Sequence, residues 1–173
     1  MSNANVVEPA ASSDLEFGNL EANCRFLRAS GVLVPGRRVL EIGSGRGSML
    51  AWLTSLGLHA VGIEIRQELI DDARARHAGL PILRASGTAL PFADASFDLV
   101  VSFDVFEHIA DSDGHISEVT RVLRNGGQYL LQTPNKWTNS VFETIRWRSF
   151  TRWRADHCAL HSYTQLSRRF AQH

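Results

Sequence analysis

Cysteine, lysine and long apolar runs are scarce in this sequence. Its two cysteines, Cys24 and Cys158, are too few for a disulfide framework, so we interpret both as reduced thiols. No run approaches the roughly 18 consecutive apolar residues that a spanning helix needs, and residues 1–10 lack the basic and apolar regions of a secretory signal. These absences predict a cytoplasmic protein without a transmembrane segment.

Neither sign of charge is in excess over the whole chain. The 173 residues include 18 Lys plus Arg and 18 Asp plus Glu, which excludes a basic nucleic-acid coat and an acidic tail protein. A hydrophobic content of 44% suffices for a sizeable core and excludes disorder over most of the length. Residues 136–173 nevertheless carry a local excess of five positive charges.

Strand and helix signals alternate through the middle of the chain. Apolar stripes at helical spacing predict helices over 49–56, over 69–77, and from Asp111 to Leu123, with Asn125-Gly126-Gly127 ending the last. A further amphipathic helix is predicted from Glu16 to Gly31. Short apolar runs between them predict five strands, at 39–42, 60–63, 81–85, 97–102 and 129–133. This alternation predicts an α/β fold, a doubly wound, mostly parallel sheet with helices on both faces.

A glycine-rich turn follows the first strand, in Val39-Leu40-Glu41-Ile42-Gly43-Ser44-Gly45-Arg46-Gly47. Glycine permits a tight turn and close approach of backbone to a ligand, so we expect a ligand over this turn. The spacing is not the dinucleotide fingerprint G-x-G-x-x-G, because Ser48 stands at its sixth position. The phosphate-binding sequence G-x-x-x-x-G-K-[ST] is absent. The turn therefore disfavours a nicotinamide cofactor and excludes that form of phosphate binding.

Two carboxylates flank the predicted ligand site. Glu41 lies two residues before Gly43, where it repels a polyphosphate and attracts a cationic or zwitterionic ligand. Glu64 ends the second strand, where a carboxylate can accept hydrogen bonds from both hydroxyls of a ribose. Together they predict a nucleoside with free hydroxyls and a positive charge.

These features resemble the class I S-adenosylmethionine-dependent methyltransferases, with the small-molecule and quinone-biosynthesis type as the nearest branch. The resemblance spans about residues 17–134 and implies a Rossmann-like fold, S-adenosylmethionine as cofactor and S-adenosylhomocysteine as product. The motifs that carry it are the glycine turn from Glu41 to Gly47, Glu64, Leu90-Pro91-Phe92, Ser96-Phe97-Asp98-Leu99-Val100 and Leu123-Arg124-Asn125-Gly126-Gly127.

The resemblance also implies roles for individual residues. The glycine turn would carry the methionyl part of the cofactor, Glu41 its ammonium group and Glu64 its ribose. Ser86 stands where many relatives have Asp beside the adenine amino group, which weakens the expected contact. The predicted cofactor-binding residues are Glu41, Gly43, Ser44, Gly45, Gly47, Glu64, Ile65, Ser86, Gly87, Thr88 and Phe103.

Methyl transfer from a sulfonium needs mainly alignment and exclusion of water. An acceptor hydroxyl or acidic carbon also needs a base, and the candidates follow the fourth strand. Histidine is the side chain best suited to exchange a proton near neutral pH, so His108 is the predicted catalytic residue, with a role in the cofactor-pocket wall as the alternative.

The basic excess of the C-terminal segment coincides with large aromatic residues between Arg146 and Arg154. Trp147 and Arg148 are predicted substrate contacts for an anionic small molecule or lipid headgroup, and a surface helix or lid is the alternative reading. Nucleic acid is disfavoured because the basic excess is confined to one short stretch. By resemblance, His161 is a predicted acceptor-pocket residue. A metal site at His157, Cys158 and His161 is not expected, because no second ligand cluster completes it.

Three segments are predicted: a tag-like, disordered N-terminus over 1–13, a cofactor-binding core over 14–135, and a basic, aromatic acceptor-side segment over 136–173. The full family fold adds two strands after a helix that begins near Thr164, which suggests a truncated chain. Its fifth strand would then be an exposed edge unless another chain or the arginine-rich segment covers it, so we expect a homodimer. A non-catalytic cofactor-binding module and a nicotinamide-linked oxidoreductase are the alternative functions.

Overall fold

The computed structural model describes residues 20–133 and 161–171, and in these ranges five parallel strands form one sheet. The strand order is β3-β2-β1-β4-β5, which confirms the predicted doubly wound α/β fold. A single 3₁₀ turn spans Phe106–His108. The strands are β1 Arg38–Ile42, β2 His59–Glu64, β3 Ile82–Arg84, β4 Phe97–Phe103 and β5 Leu123–Gln132, and the helices are α1 Leu20–Ala29, α2 Ser48–Ser55, α3 Gln67–Arg76, α4 Ser112–Val122 and α5 Tyr163–Phe170.

The sheet reverses its direction of winding at β1. This strand pairs with β2 on one side and with β4 on the other, so the chain leaves β1 toward opposite edges. Ile42 is level with Ile63 of β2 and with Ser102 of β4. The carboxyl ends of these three strands therefore meet at the topological switch point, where open α/β sheets bind their ligands.

Alternating side chains of β1 serve two hydrophobic clusters, one on each face of the sheet. Val39 packs with buried residues of α1, α2 and α3. Leu40 and Ile42 pack with Val119 and Val122 of α4. Because successive side chains of a strand point to opposite faces, one apolar strand can anchor both helical layers.

Helix α4 holds the loop of Leu90-Pro91-Phe92 through two charged side chains. The Leu90 N–H donates to Glu118 Oε2 at 2.7 Å, and the Arg121 guanidinium donates to the carbonyls of Leu90 and Phe92 at 3.0 and 2.8 Å. Arg121 also pairs with Glu118 at 2.7 Å. Hydrogen bonds from Arg121 and from Leu90 lower the pKa of Glu118 to about 2. The structure thus gives this loop a structural role.

One predicted boundary is wrong. Leu123 was expected in the last turn of a helix, with a loop before a strand at 129, but α4 ends at Val122 and β5 begins at Leu123. Leu123 pairs with Phe97, and the register then shifts so that Leu99 pairs with Gln128. The intervening residues form an irregularity in which Gly126 has a positive φ of 75°. Pairing with β4 outweighs the local helical pattern.

Residues 1–19, 134–160 and 172–173 lie outside the described ranges. These residues include both predicted segment boundaries, Trp147, Arg148 and Cys158. Within 20–133 and 161–171, no helix has the length and apolar character needed to cross a bilayer.

We expect Glu118→Gln to lower the free energy of unfolding by about 1–3 kcal/mol at neutral pH, because Leu90 and Arg121 lose a carboxylate partner. The lowered pKa of Glu118 sets the pH range over which this stabilisation is lost. The stabilisation is complete above the ordinary value of 4.5 and is lost as the pH falls toward about 2. Urea unfolding should show the difference between wild type and variant shrinking over that window. Glu21→Gln is the control, because Glu21 pairs with Arg25 at the exposed surface, where ion pairs contribute little; an equal, pH-independent loss in both variants would contradict this role.

Candidate functional site

The glycine turn between β1 and α2 is held against β2. The backbone N–H groups of Gly43 and Ser44 both donate to the carbonyl of Ile63, each at 2.9 Å. Gly43 has a φ of 76°, and a β-carbon there would lie 2.3 Å from Val105 Cγ2. A β-carbon at Gly45 would meet no atom within 4 Å. The turn is therefore packed against protein at Gly43 and open at Gly45.

Gly62 of β2 is a requirement of this turn that the sequence analysis missed. A β-carbon at Gly62 would lie 2.1 Å from Ser44 Oγ and 2.7 Å from Leu50 Cδ2. The φ of Gly62 is not in the left-handed region, so close approach is what requires glycine here. A glycine inside an otherwise apolar strand was the signal that could have indicated it.

The Glu64 carboxylate is buried, with 6% of the residue exposed, and it joins the end of β2 to the glycine turn. Its Oε2 accepts a hydrogen bond from the Gly45 N–H at 3.1 Å. Its Oε1 accepts from the N–H groups of Ile65 and Arg66 at 2.9 and 3.0 Å. Three backbone donors therefore fix this carboxylate at the carboxyl edge of the sheet.

A pocket of about 140 Å³ opens beside this carboxylate. Five predicted cofactor-binding residues line it: Gly43, Ser44, Gly45, Glu64 and Phe103. Helix α1, which the sequence predicted to cover a sheet edge or the cofactor, also contributes to the lining, and so do the segment after β2 and Asp104, one of the candidate bases after β4. These additional lining residues include Leu20, Asn23, Arg66, Leu69 and Asp104. They come from separate parts of the chain that the fold brings to one end of the sheet.

Glu41 lies outside that lining. It is buried in β1, on the same face of the sheet as Val39, which is the face covered by α1 and α2. Burial raises the pKa of Cys24 in α1 to about 11; the Arg28 charge lowers this pKa and the Glu41 charge raises it. Cys24 is a buried free thiol. The contact of Glu41 with a ligand ammonium stays a prediction.

The predicted nucleobase residues form a compact loop after β3. Ser86 Oγ lies 2.8 Å from Thr88 Oγ1 and accepts from the Thr88 N–H at 3.2 Å. Ser86 and Ala89 form an isolated antiparallel bridge. The Gly87 carbonyl lies 2.8 Å from Nδ1 of His115, a residue of α4 that the sequence analysis did not single out.

Acidic residues and His108 follow β4. Asp104 lines the pocket, and its φ of 54° is rare for a residue other than glycine. Burial raises the pKa of Asp104, and the charge of His108 opposes this shift. His108 itself is exposed and lies outside the pocket lining. Burial also raises the pKa of Glu107, which accepts from Thr133 Oγ1 at 3.0 Å.

His161 lies in an aromatic cluster and not in the pocket lining. Its ring packs against Phe106 with 5.5 Å between centroids. Phe106 also contacts His115 and Phe170, at 5.6 and 6.4 Å. The acceptor role of His161 stays a prediction. Among residues 20–133 and 161–171, no group of three His, Cys, Asp or Glu is arranged to hold a metal ion.

Comparison with known proteins assigns the family. The sequence model described as “Methyltransferase domain” matches residues 40–131, just over half of the chain. The chain therefore belongs to the methyltransferase domain family. This assignment confirms the resemblance to class I methyltransferases and counts against the nicotinamide-linked alternative. The quinone-biosynthesis branch stays a prediction.

Two mycobacterial relatives share the name “Probable S-adenosylmethionine-dependent methyltransferase”. The Mycolicibacterium smegmatis protein is 38% identical over 105 residues, covering 61% of this chain and 41% of its own length. The Mycobacterium tuberculosis H37Rv protein is 33% identical over 104 residues, covering 60% and 38%. The chain thus spans about two fifths of the length of these curated relatives.

Solved structures share the fold at low sequence identity. A SAM-dependent methyltransferase from Archaeoglobus fulgidus matches with a TM-score of 0.70 at 20% identity, over 90% of this chain and 68% of that chain. The YcgJ protein from Bacillus subtilis matches with a TM-score of 0.71 at 23% identity, over 87% and 67%. At sequence identities this low, the structural similarity shows a shared fold and no more.

We expect Gly62→Ala to destabilise the protein by about 1–3 kcal/mol, because the added methyl group displaces the glycine turn through Ser44. The matched control is Ser44→Ala, which removes the hydroxyl that the new β-carbon would meet at 2.1 Å. In a double-mutant cycle measured by urea unfolding, Gly62→Ala should cost less in the Ser44→Ala background. Strict additivity of the two substitutions would refute this account of the turn.

Proposed function

We propose that this chain is the cofactor-binding part of an S-adenosylmethionine-dependent methyltransferase that acts on a small-molecule or lipid-like acceptor. The observation that carries the proposal is the buried Glu64 carboxylate, bonded to the Gly45 N–H beside the open side of the glycine turn. The names of the mycobacterial relatives support the choice of cofactor.

The acceptor sites of Glu64 fit a ribose. A carboxylate offers about four lone-pair sites, and backbone N–H groups use two on Oε1 and one on Oε2. One site is left on Oε2, on the side of Gly45. This count of acceptor sites supports a hydrogen bond from one ribose hydroxyl to Glu64, whereas the sequence pattern predicted two.

The nucleobase would extend from Glu64 toward β3. Glu64 pairs with Arg84 in the sheet, and its carbonyl accepts from the Ala85 N–H at 3.1 Å, so the Ser86–Thr88 loop is next to the ribose site. Ile65 follows Glu64 and is 60% exposed, an apolar side chain suited to contact a base. At the opposite end, Gly43, Ser44 and Phe103 border the space for the methionyl part.

The bound cofactor supplies a methyl carbon on a positively charged sulfur. The protein must then hold the acceptor in line, exclude water, and take up the acceptor's proton where one is released. Asp104 lines the pocket, and its raised pKa makes its carboxylate a stronger base than an exposed one. We assign proton uptake to Asp104, with the predicted base His108 as its electrostatic neighbour.

The remaining expectations belong to this proposal. An anionic or lipid-linked acceptor follows from the cationic, aromatic segment that contains Trp147 and Arg148, and from His161. A cytoplasmic location and a homodimer are further parts of the proposal.

Calorimetric titration with S-adenosylhomocysteine tests cofactor binding. We expect Glu64→Gln to weaken binding about 10- to 100-fold, because a hydrogen bond to a charged group is lost and the turn loses its anchor. Glu68→Gln, the same chemical change at an exposed position in the first turn of α3, should bind like wild type. Wild type that binds NAD but not S-adenosylhomocysteine would overturn the proposal.

Methyl transfer from tritiated cofactor to acceptors bearing hydroxyl, amine or acidic carbon groups tests the chemistry. Asp104→Asn should lower kcat about 100-fold for acceptors that must lose a proton. Its effect on cofactor affinity should be smaller, since asparagine tolerates the same positive φ. Asp71→Asn, at an exposed position in α3, is the control. Wild-type kcat in the Asp104→Asn variant would move the assignment to His108.

A further inference from the structure

A chain of hydrogen bonds runs through the buried side of α4. His115 is 0% exposed and lies between the Gly87 loop and the sheet. Its Nδ1 is 2.8 Å from the Gly87 carbonyl, and its Nε2 is 2.9 Å from the hydroxyl of Tyr129 in β5. That hydroxyl is 2.7 Å from Ser102 Oγ in β4. Four separate segments are thus joined by three hydrogen bonds.

The Gly87 carbonyl determines which atom donates in each of these three hydrogen bonds. A carbonyl only accepts, so His115 Nδ1 carries the proton and donates. In the neutral imidazole Nε2 then accepts from the Tyr129 hydroxyl, whose oxygen accepts in turn from Ser102. Burial lowers the pKa of His115, which favours this neutral form. Each donor and acceptor in the chain has a partner of the opposite kind.

Gly87 also packs directly on the imidazole. A β-carbon at Gly87 would lie 3.0 Å from His115 Nδ1 and 3.3 Å from Ile109 Cδ1. The imidazole therefore limits how closely the loop approaches α4, while the hydrogen bond prevents it from moving away. Three residues further along, Leu90 is held by Glu118 of the same helix. His115 thus determines where the Ser86–Thr88 loop lies between β3 and Leu90.

We propose that His115 is a positioning residue for the nucleobase end of the cofactor site. It acts through the Gly87 carbonyl and holds the Ser86–Thr88 loop at the distance that lets its polar groups distinguish adenine from other bases. Tyr129 and Ser102 support it by keeping the Nδ1 proton directed at Gly87. The inference rests on the proposed function, because that function places the base beside this loop.

The test compares two ligands, S-adenosylhomocysteine and S-inosylhomocysteine, which differ only at one edge of the base: adenine has a 6-amino group and an N1 acceptor, and hypoxanthine has a 6-oxo group and an N1–H donor. His115→Leu removes the donor and should weaken S-adenosylhomocysteine binding about tenfold, and should also reduce the preference for adenine over hypoxanthine. His115→Asn keeps an N–H donor near the position of Nδ1 and should restore affinity to within about threefold of wild type. Tyr129→Phe removes one hydroxyl and gives a milder variant, with a loss of about two- to fivefold, should His115→Leu fail to fold.

Val119→Ala is the matched control, because Val119 is also buried in α4 and packs in the hydrophobic cluster of Leu40 and Ile42. It should lower stability in urea unfolding and keep the wild-type affinity and base preference. The positioning role alone would be overturned if His115→Leu and Tyr129→Phe kept the wild-type affinity and base preference. It would also be overturned if Val119→Ala lost as much affinity and base preference as they did. Failure of wild type to bind S-adenosylhomocysteine would instead overturn the proposed function, and this inference with it.

Discussion

The candidate site depends on one buried carboxylate and the three backbone N–H groups it accepts. Glu64 ends β2, yet its Oε2 bonds to Gly45, which follows β1. Buried carboxylates are costly unless such donors compensate the lost hydration. Because those donors belong to the turn and to the segment after β2, the charge stabilises the backbone that forms the pocket. The same carboxylate that anchors the turn lines the pocket in which we propose the ribose.

Helix α4 fixes the loop from Gly87 to Phe92, because several of its side chains bond to successive parts of that loop. His115 bonds to Gly87, Glu118 to the Leu90 N–H, and Arg121 to the carbonyls of Leu90 and Phe92. An irregular loop exposes backbone groups that need partners, and a helix presents side chains at fixed spacing to supply them. The loop thereby gains a defined position without regular secondary structure of its own.

The loop that follows β4 differs in character from the glycine turn. Asp104 combines a left-handed backbone conformation, a place in the pocket wall and a pKa raised by burial. Such strain persists where surrounding structure enforces it, here a hydrogen bond from the Asp104 N–H to the Gln132 carbonyl at 3.0 Å. Neighbouring Val105 packs on Gly43, so the glycine turn and the loop after β4 are in direct contact.

The sequence by itself determined the parallel α/β fold, the glycine turn and the strand-end position of Glu64, because these features depend on short-range periodicity and on residue types a few positions apart. It misplaced the start of β5, where pairing of Leu123 with Phe97 outweighed the local helical pattern. Among the candidate bases after β4 it favoured His108, whose role stays a prediction, and it missed Gly62 and His115. These features were decided by the tertiary structure alone. Gly62 comes close to Ser44, and His115 bonds to Gly87, 28 positions away, only once the strands and α4 have packed.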